Sequence, residues 1–219
     1  MLAVATTPNV GHLLAAMARG VRVVLVDSPS PTDAIRSVSV DDQAGGAMAA
    51  GHLLQQGHDR LAILNGPHTI RQCLDRSAGA CRAVEGAGFE PEVALREVVL
   101  PTLNAAGGDA AIRRLLDAAH GEPPPAVLCV NDLVAIGVQR ALRLAEGSDL
   151  LHRTALVGYD DIDSASELAT PLTSVRRPKY ELGYRAGDLL LVDSAATADP
   201  QHIVFQLELV VRESSLSGC

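Results

Sequence analysis

The sequence predicts an α/β fold built on parallel sheets. Short β-branched runs alternate with longer helical stretches along nearly the whole chain, the pattern of strands joined by crossover helices. One run, Val21–Asp27, is almost continuously apolar, as a strand covered on both faces must be. Clusters of Gly, Pro, Asn and Asp punctuate the joints between periodic segments.

Taken in order, Leu2–Thr6 reads as a strand. Gly11–Arg19 reads as a helix, with Ala, Leu and Met at helical spacing and Gly20 closing it. Val21–Asp27 follows as a buried strand, Ser28–Ala34 with two prolines as a loop, and Ser37–Val40 as a short strand. Asp41 or Asp42 can cap a helix through Ala47–Gln56, which Gly57 ends. Arg60–Leu64 is a strand broken by Asn65-Gly66-Pro67. The remainder predicts a helix over Leu74–Ala87, a strand near Glu97–Leu100, a helix from Gly108 to Ala119 and a proline-rich turn at Gly121–Pro125. Then come strand Ala126–Val130, helix Leu133–Ala145, strand Thr154–Tyr159, a short extended link at Leu172–Val175, helix Tyr180–Leu191 and strand Ile203–Val211.

Composition narrows the function. The 219 residues are 47% hydrophobic and 20% charged, a globular balance, and no apolar run approaches the ~18 residues of a membrane span. The start lacks the basic and apolar regions of an export signal, so a cytoplasmic location is expected. Asp and Glu number 26 against 18 Lys and Arg, a net charge of −8; binding to a polyanion needs a basic face, and the most basic stretch is only Arg176-Arg177 with Lys179. Cys73, Cys81, Cys129 and Cys219 show no CxxC spacing and read as thiols of a reducing compartment. The seven histidines never pair at i,i+4, so no metal site and no cofactor is expected. Dinucleotide fingerprint, P-loop, GxSxG and HExxH are all absent, and no nucleophile sits with a base. The chain does not read as an enzyme.

Seven stretches together resemble the effector-binding core of the LacI/GalR family of bacterial transcriptional regulators. They are Gly20–Asp27; Val40–Gly45 leading to His52–His58; Arg76-Ser-Ala-Gly79; Val130-Asn-Asp132 with Ala135-Ile-Gly137; Val157-Gly-Tyr-Asp-Asp-Ile162; Pro171–Val175 with Glu181-Leu-Gly183; and Leu209–Ser214, in family order. The resemblance implies two doubly wound parallel-sheet lobes of the periplasmic-binding-protein type, with the N-terminal lobe incomplete. It places residues 1–65 with 175–193 in that lobe and 66–174 with 194–219 in the C-terminal lobe. The chain would cross between them at Asn65–Pro67, at Ser174–Arg177 and near Ser194–Ala198.

A small polar effector, sugar or nucleoside-like, is the ligand this resemblance implies, held by Arg76, Asn131 and Asp160, with Asp27 a weaker contact. The chemistry fits: a guanidinium donates to two neighbouring oxygens, a carboxylate accepts from two hydroxyls, and an amide does both. Caps compete with these roles, since Asn131-Asp132 stands where a helix N-cap is expected and Asp160-Asp161 can cap a turn. Family positions that stack rings on the ligand read here as Val40 and Leu103. The resemblance also implies a homodimer that reaches DNA only through an N-terminal helix-turn-helix absent from this chain, with Met1 an internal start of a longer regulator and Leu2–Thr6 left with an open edge. A solute-binding protein of the same fold, and an enzyme holding a metal on Asp160, Asp161 and Asp163, are the competing readings.

Overall fold

Strand and helix alternate as expected, and the strands sort into two separate sheets. The computed structural model describes residues 1–5, 7, 9–145, 150–191 and 202–216. In chain order the elements are β1 (Leu2–Ala3), α1 (Gly11–Met17), β2 (Val24–Val26), β3 (Arg36–Val40), α2 (Asp42–Gln55), β4 (Leu61–Asn65), α3 (Arg71–Gly86), α4 (Pro91–Ala94) and β5 (Leu95–Val99). They continue with α5 (Ala105–Ala118), β6 (Ala126–Cys129), α6 (Asp132–Leu144), β7 (Ala155–Asp160), α7 (Asp163–Glu167), β8 (Thr173–Arg176), α8 (Lys179–Leu191), β9 (His202–Phe205) and β10 (Glu208–Val210). A 3₁₀ turn at Glu213–Ser215 follows.

Unit 1 comprises Met1–Asp41, Thr69–Gln72 and Arg177–Leu207. Its sheet runs β1-β2-β3-β9 with every described pairing parallel. Successive side chains of a strand point to opposite faces, and both faces are covered. Val24, Val38 and Val40 pack on Leu182, Ala186 and Leu189 of α8, while Val23, Leu25 and Ile35 pack on Val10 and on Leu13 of α1. That two-sided burial is the reason the run before Asp27 carries no polar alternation. Among the described strands β1 pairs with β2 alone.

Unit 2 comprises Asp42–His68, Cys73–Arg176 and Glu208–Cys219. Its six strands lie in the order β10-β8-β7-β6-β4-β5, all parallel except the β10–β8 pair. The chain lays β5 on one side of β4 and β6, β7 and β8 on the other. Winding therefore reverses between β4 and β6, and in such sheets ligands bind outside the carboxyl ends of the strands at that reversal.

Several expectations need correction. The first boundary lies at Asp41–Asp42 and not at Asn65–Pro67: α2 and β4 belong to unit 2, because β4 pairs with both β5 and β6 along its length. Asn65-Gly66-Pro67 does end β4, but that turn is not the first crossing. The expected Ser174–Arg177 crossing narrows to Arg176–Arg177, and the Leu172–Val175 link is a full strand, β8. A crossing near Ser194–Ala198 falls outside the described residues. The run Ile203–Val211 is two strands in different sheets: β9 pairs with β3 and β10 with β8. Val21–Asp27 and Leu2–Thr6 shorten to β2 and β1, with Thr6 outside the described residues, and α2 starts five residues earlier than its apolar periodicity shows.

Candidate functional site

Helices α2 and α3 of unit 2 approach until backbones touch, because two glycines meet at their contact. A Cβ on Gly46 would lie 2.0 Å from the Arg76 carbonyl oxygen, and one on Gly79 would lie 1.9 Å from that of Gln43. This closeness lets Arg76, on α3, reach Asp42 at the start of α2. Arg76 Nε donates to Asp42 Oδ1 at 2.8 Å, and one terminal nitrogen donates to the Val130 carbonyl at the end of β6. The guanidinium carbon stands 3.6 Å from the centroid of the Tyr159 ring, and the Tyr159 hydroxyl donates to the same Asp42 Oδ1 at 3.1 Å. Arg76 is 9% exposed, Asp42 6% and Tyr159 1%. Burial works against a charge there, yet Asp42, Tyr159 and Asp160 outweigh it and hold the guanidinium protonated beyond its ordinary range.

Asn131 is an N-cap. Its Oδ1 accepts from Val134 N at 2.9 Å, and its Nδ2 donates to the Leu103 carbonyl at 3.1 Å, so the capping reading of this residue holds in the structure. The next residue, Asp132, is 1% exposed and accepts from Ser174 Oγ at 2.6 Å and from Ile162 N at 2.8 Å. Burial pushes its pKa up to about 6 against the pull of those two bonds, with Asp160 and Asp161 adding to the rise.

Asp160 ends β7 with φ 105° and Asp161 follows at φ 48°. Positive φ is uncommon for a side-chain-bearing residue and costs of order 1–3 kcal/mol where sparsely populated. Asp161 is anchored: its backbone N–H donates to Ser174 Oγ, Arg176 Nε lies 2.7 Å from Oδ2, and Arg212 lies 2.7 Å from Oδ1. Although burial opposes ionisation, Arg212 and Arg176 hold this carboxyl below its usual range. The backbone turn and the ion pairs fix the carboxyl end of β7, where Asp160 adds to the field on Arg76.

Of the four residues singled out in the sequence, Asn131 and Asp160 lie at the carboxyl ends of the neighbouring strands β6 and β7 of unit 2, and Arg76, on α3, reaches the end of β6 through the Val130 carbonyl. Asp27 belongs to unit 1. It ends β2 with φ 57°, pairs through Oδ2 with Arg177, and accepts at its carbonyl from Gln72 Nε2 at 2.9 Å. Val40 is not a surface for a ligand ring: it is 4% exposed in the core between the unit 1 sheet and α8. Sequence reasoning missed Asp42, which reads as a cap, and Tyr159, whose position beside Asp160 was its only signal. Among the described residues no three His, Cys, Asp or Glu groups gather as a metal site. Cys73 and Cys129 are buried and Cys81 partly buried, all as free thiols; Cys219 is outside the described residues. No helix among the described residues is long and apolar enough to cross a membrane.

The chain is similar to known proteins along most of its length. The pattern that defines the periplasmic binding protein-like domain matches residues 50–215. The HTH-type transcriptional regulator MalR of Streptomyces coelicolor is 34% identical over 216 residues, 97% of this chain and 61% of that protein. The ribose operon repressor of Escherichia coli is 37% identical over 147 residues, 67% of this chain and 43% of that one. Among solved structures, a complex of the transcriptional regulator CelR with cellobiose superposes with a TM-score of 0.82 at 29% identity, covering 97% of this chain and 64% of that one. A LacI-family regulatory protein from Chloroflexus aggregans superposes with a TM-score of 0.84 at 27% identity, covering 98% and 75%. The chain spans less than two thirds of the length of these curated relatives. Two sheets, parallel but for the β10–β8 pair, a polar cluster at the strand ends of unit 2 and these similarities agree: the chain belongs to the periplasmic binding protein-like domain family and is similar within it to transcriptional regulators of the LacI type.

Proposed function

We propose that this chain is the effector-sensing part of a LacI-type transcriptional regulator, and that it binds a small neutral saccharide or nucleoside through Arg76 and Asp160. The observation that carries the reading is the buried Arg76 held at the carboxyl ends of β6 and β7 beside Asp160, in a chain similar to the CelR–cellobiose complex. A planar guanidinium and a carboxylate offer opposite hydrogen-bonding roles to neighbouring hydroxyls. Asn131, already spent on its cap and on Leu103, contributes at most a remaining N–H. The curated relatives are named as regulators, which supports a regulator over a transport protein and over an enzyme. In this reading the chain acts in the cytoplasm. Two copies pair about a two-fold axis, and DNA is read by helix-turn-helix heads outside residues 1–219.

Calorimetric titration and thermal shift with cellobiose, ribose and a nucleoside test this. A ligand at 100 times its Kd stabilises the folded chain by about 2.7 kcal/mol. Arg76→Ala or Asp160→Ala each removes a charge-assisted bond of about 1.5–3 kcal/mol and weakens binding roughly 10- to 100-fold. Unchanged affinity in both variants, or no stabilisation by any member of the panel, overturns the reading.

A further inference from the structure

We propose that Asp42 and Tyr159 are positioning residues for the effector site: they fix the Arg76 guanidinium from the side and from below, so that its direction is set before any ligand arrives. The proposal deepens the effector reading above and rests on it. Asp42 Oδ1 receives two donors, Arg76 Nε at 2.8 Å and the Tyr159 hydroxyl at 3.1 Å. One oxygen therefore couples the arginine to the ring over which it lies, 3.6 Å from the centroid. The ring, 3.6 Å away, covers one face of the guanidinium, the Asp42 carboxylate holds its Nε, and the Val130 carbonyl takes a second donor on another edge. A guanidinium carries five N–H donors in a rigid fork, so with these edges spoken for, the remaining donors point in a determined direction. The frame beneath is equally fixed, since the backbone contact at Gly46 and Gly79 leaves α2 and α3 no room to slide. Neither Asp42 nor Tyr159 needs to touch the ligand for this role. Asp42 is also the first residue of unit 2 after the chain leaves unit 1, so the contact that orients Arg76 sits at the root of a crossing segment.

The test is calorimetric titration of the full chain with cellobiose and with ribose, in wild type, Asp42→Asn, Tyr159→Phe, Arg76→Ala and the two double variants with Arg76→Ala. Tyr159→Phe keeps the ring and deletes only the hydroxyl, so it remains informative if Asp42→Asn, which strips a buried arginine of its counter-charge, fails to fold. Each single positioning variant is expected to weaken binding about tenfold, and to have no further effect once Arg76 is alanine. That non-additivity is what a purely structural role, additive with the loss of Arg76, does not produce. In parallel, the Arg76 Nε–H proton, read by NMR, exchanges slowly with water in the wild type and faster in both variants. Saccharide binding that is unaltered by both variants, additive effects in the cycle, or unaltered Arg76 exchange overturns the assignment and leaves the effector reading standing. A wild-type chain that binds no saccharide overturns both.

Discussion

Asp132 contributes a stability term that favours mild acid over neutrality, and the size of that term follows from its burial. The carboxyl is 1% exposed, and its pKa is pushed up from 3.8 to about 6, chiefly by desolvation. A carboxyl raised on folding contributes fully below its unfolded pKa, and that contribution is lost as pH rises through the folded value. With about 1.4 kcal/mol per unit, a rise of two units means that ionised Asp132 lowers stability at pH 7 by about 3 kcal/mol, of which about 1 kcal/mol returns by pH 5. Asn at this position can accept from Ile162 N through Oδ1, while its amide donates to Ser174 Oγ in place of the present bond in the opposite direction. Urea unfolding of wild type and Asp132→Asn at pH 5 and pH 7 measures the term. The wild type should gain about 1 kcal/mol on acidification relative to the variant. An identical pH dependence in the two proteins refutes the reasoning, because it means Asp132 ionises as an exposed carboxyl does.

Three further outcomes follow from packing and capping. Gly79→Ala places a methyl 1.9 Å from the Gln43 carbonyl oxygen; forcing α2 and α3 apart should cost about 3 kcal/mol or more, read as a lowered Tm, with Gly46→Ala behaving alike. Asn131→Ala removes the Val134 N–H acceptor of α6 and should cost about 0.5–2 kcal/mol in chemical denaturation. His52 Nε2 lies 2.7 Å from Ser215 Oγ, which lies 2.6 Å from Thr173 Oγ1; Ser215→Ala leaves a buried ring nitrogen unpaired and should cost about 1–3 kcal/mol, with hydrogen exchange at residues 212–216 rising first.

The layering of the fold was legible because period and punctuation are local properties. Sheet membership was not, because it depends on partners far along the chain. Asn65-Gly66-Pro67 signals a turn with equal strength whether the chain changes unit there or not, and only the pairing of β4 with both β5 and β6 keeps it in unit 2. The run Ile203–Val211 likewise stays β-branched across Gln206-Leu207, where the chain exchanges one sheet for the other. At the site, residue types were legible and their burdens were not. Arg76 announces a donor, but its claim on Asp42, 34 residues earlier, depends on a glycine contact between two helices that no periodicity encodes. Asn131 shows the reverse case: the cap visible in the sequence is the role that the structure gives it.

The polar residues at the strand ends of unit 2 are bound mainly to one another, and this bears on how an effector could act. Arg76 leans on Asp42, Tyr159 and Val130, while Arg176 joins Asp161 to Glu208 across the β8–β10 pair, at the points where the chain enters and leaves the unit. A ligand meeting groups already held loses little side-chain entropy on binding. Under the proposed function, its affinity for these groups is then set by chemistry rather than by rearrangement. A ligand shifts a conformational equilibrium only by the difference in its affinity for the two states. Under the proposed function, Arg76 and Asp160 therefore move no equilibrium unless an effector meets them differently in the two states, and calorimetric titration of Arg76→Ala measures what they contribute to affinity.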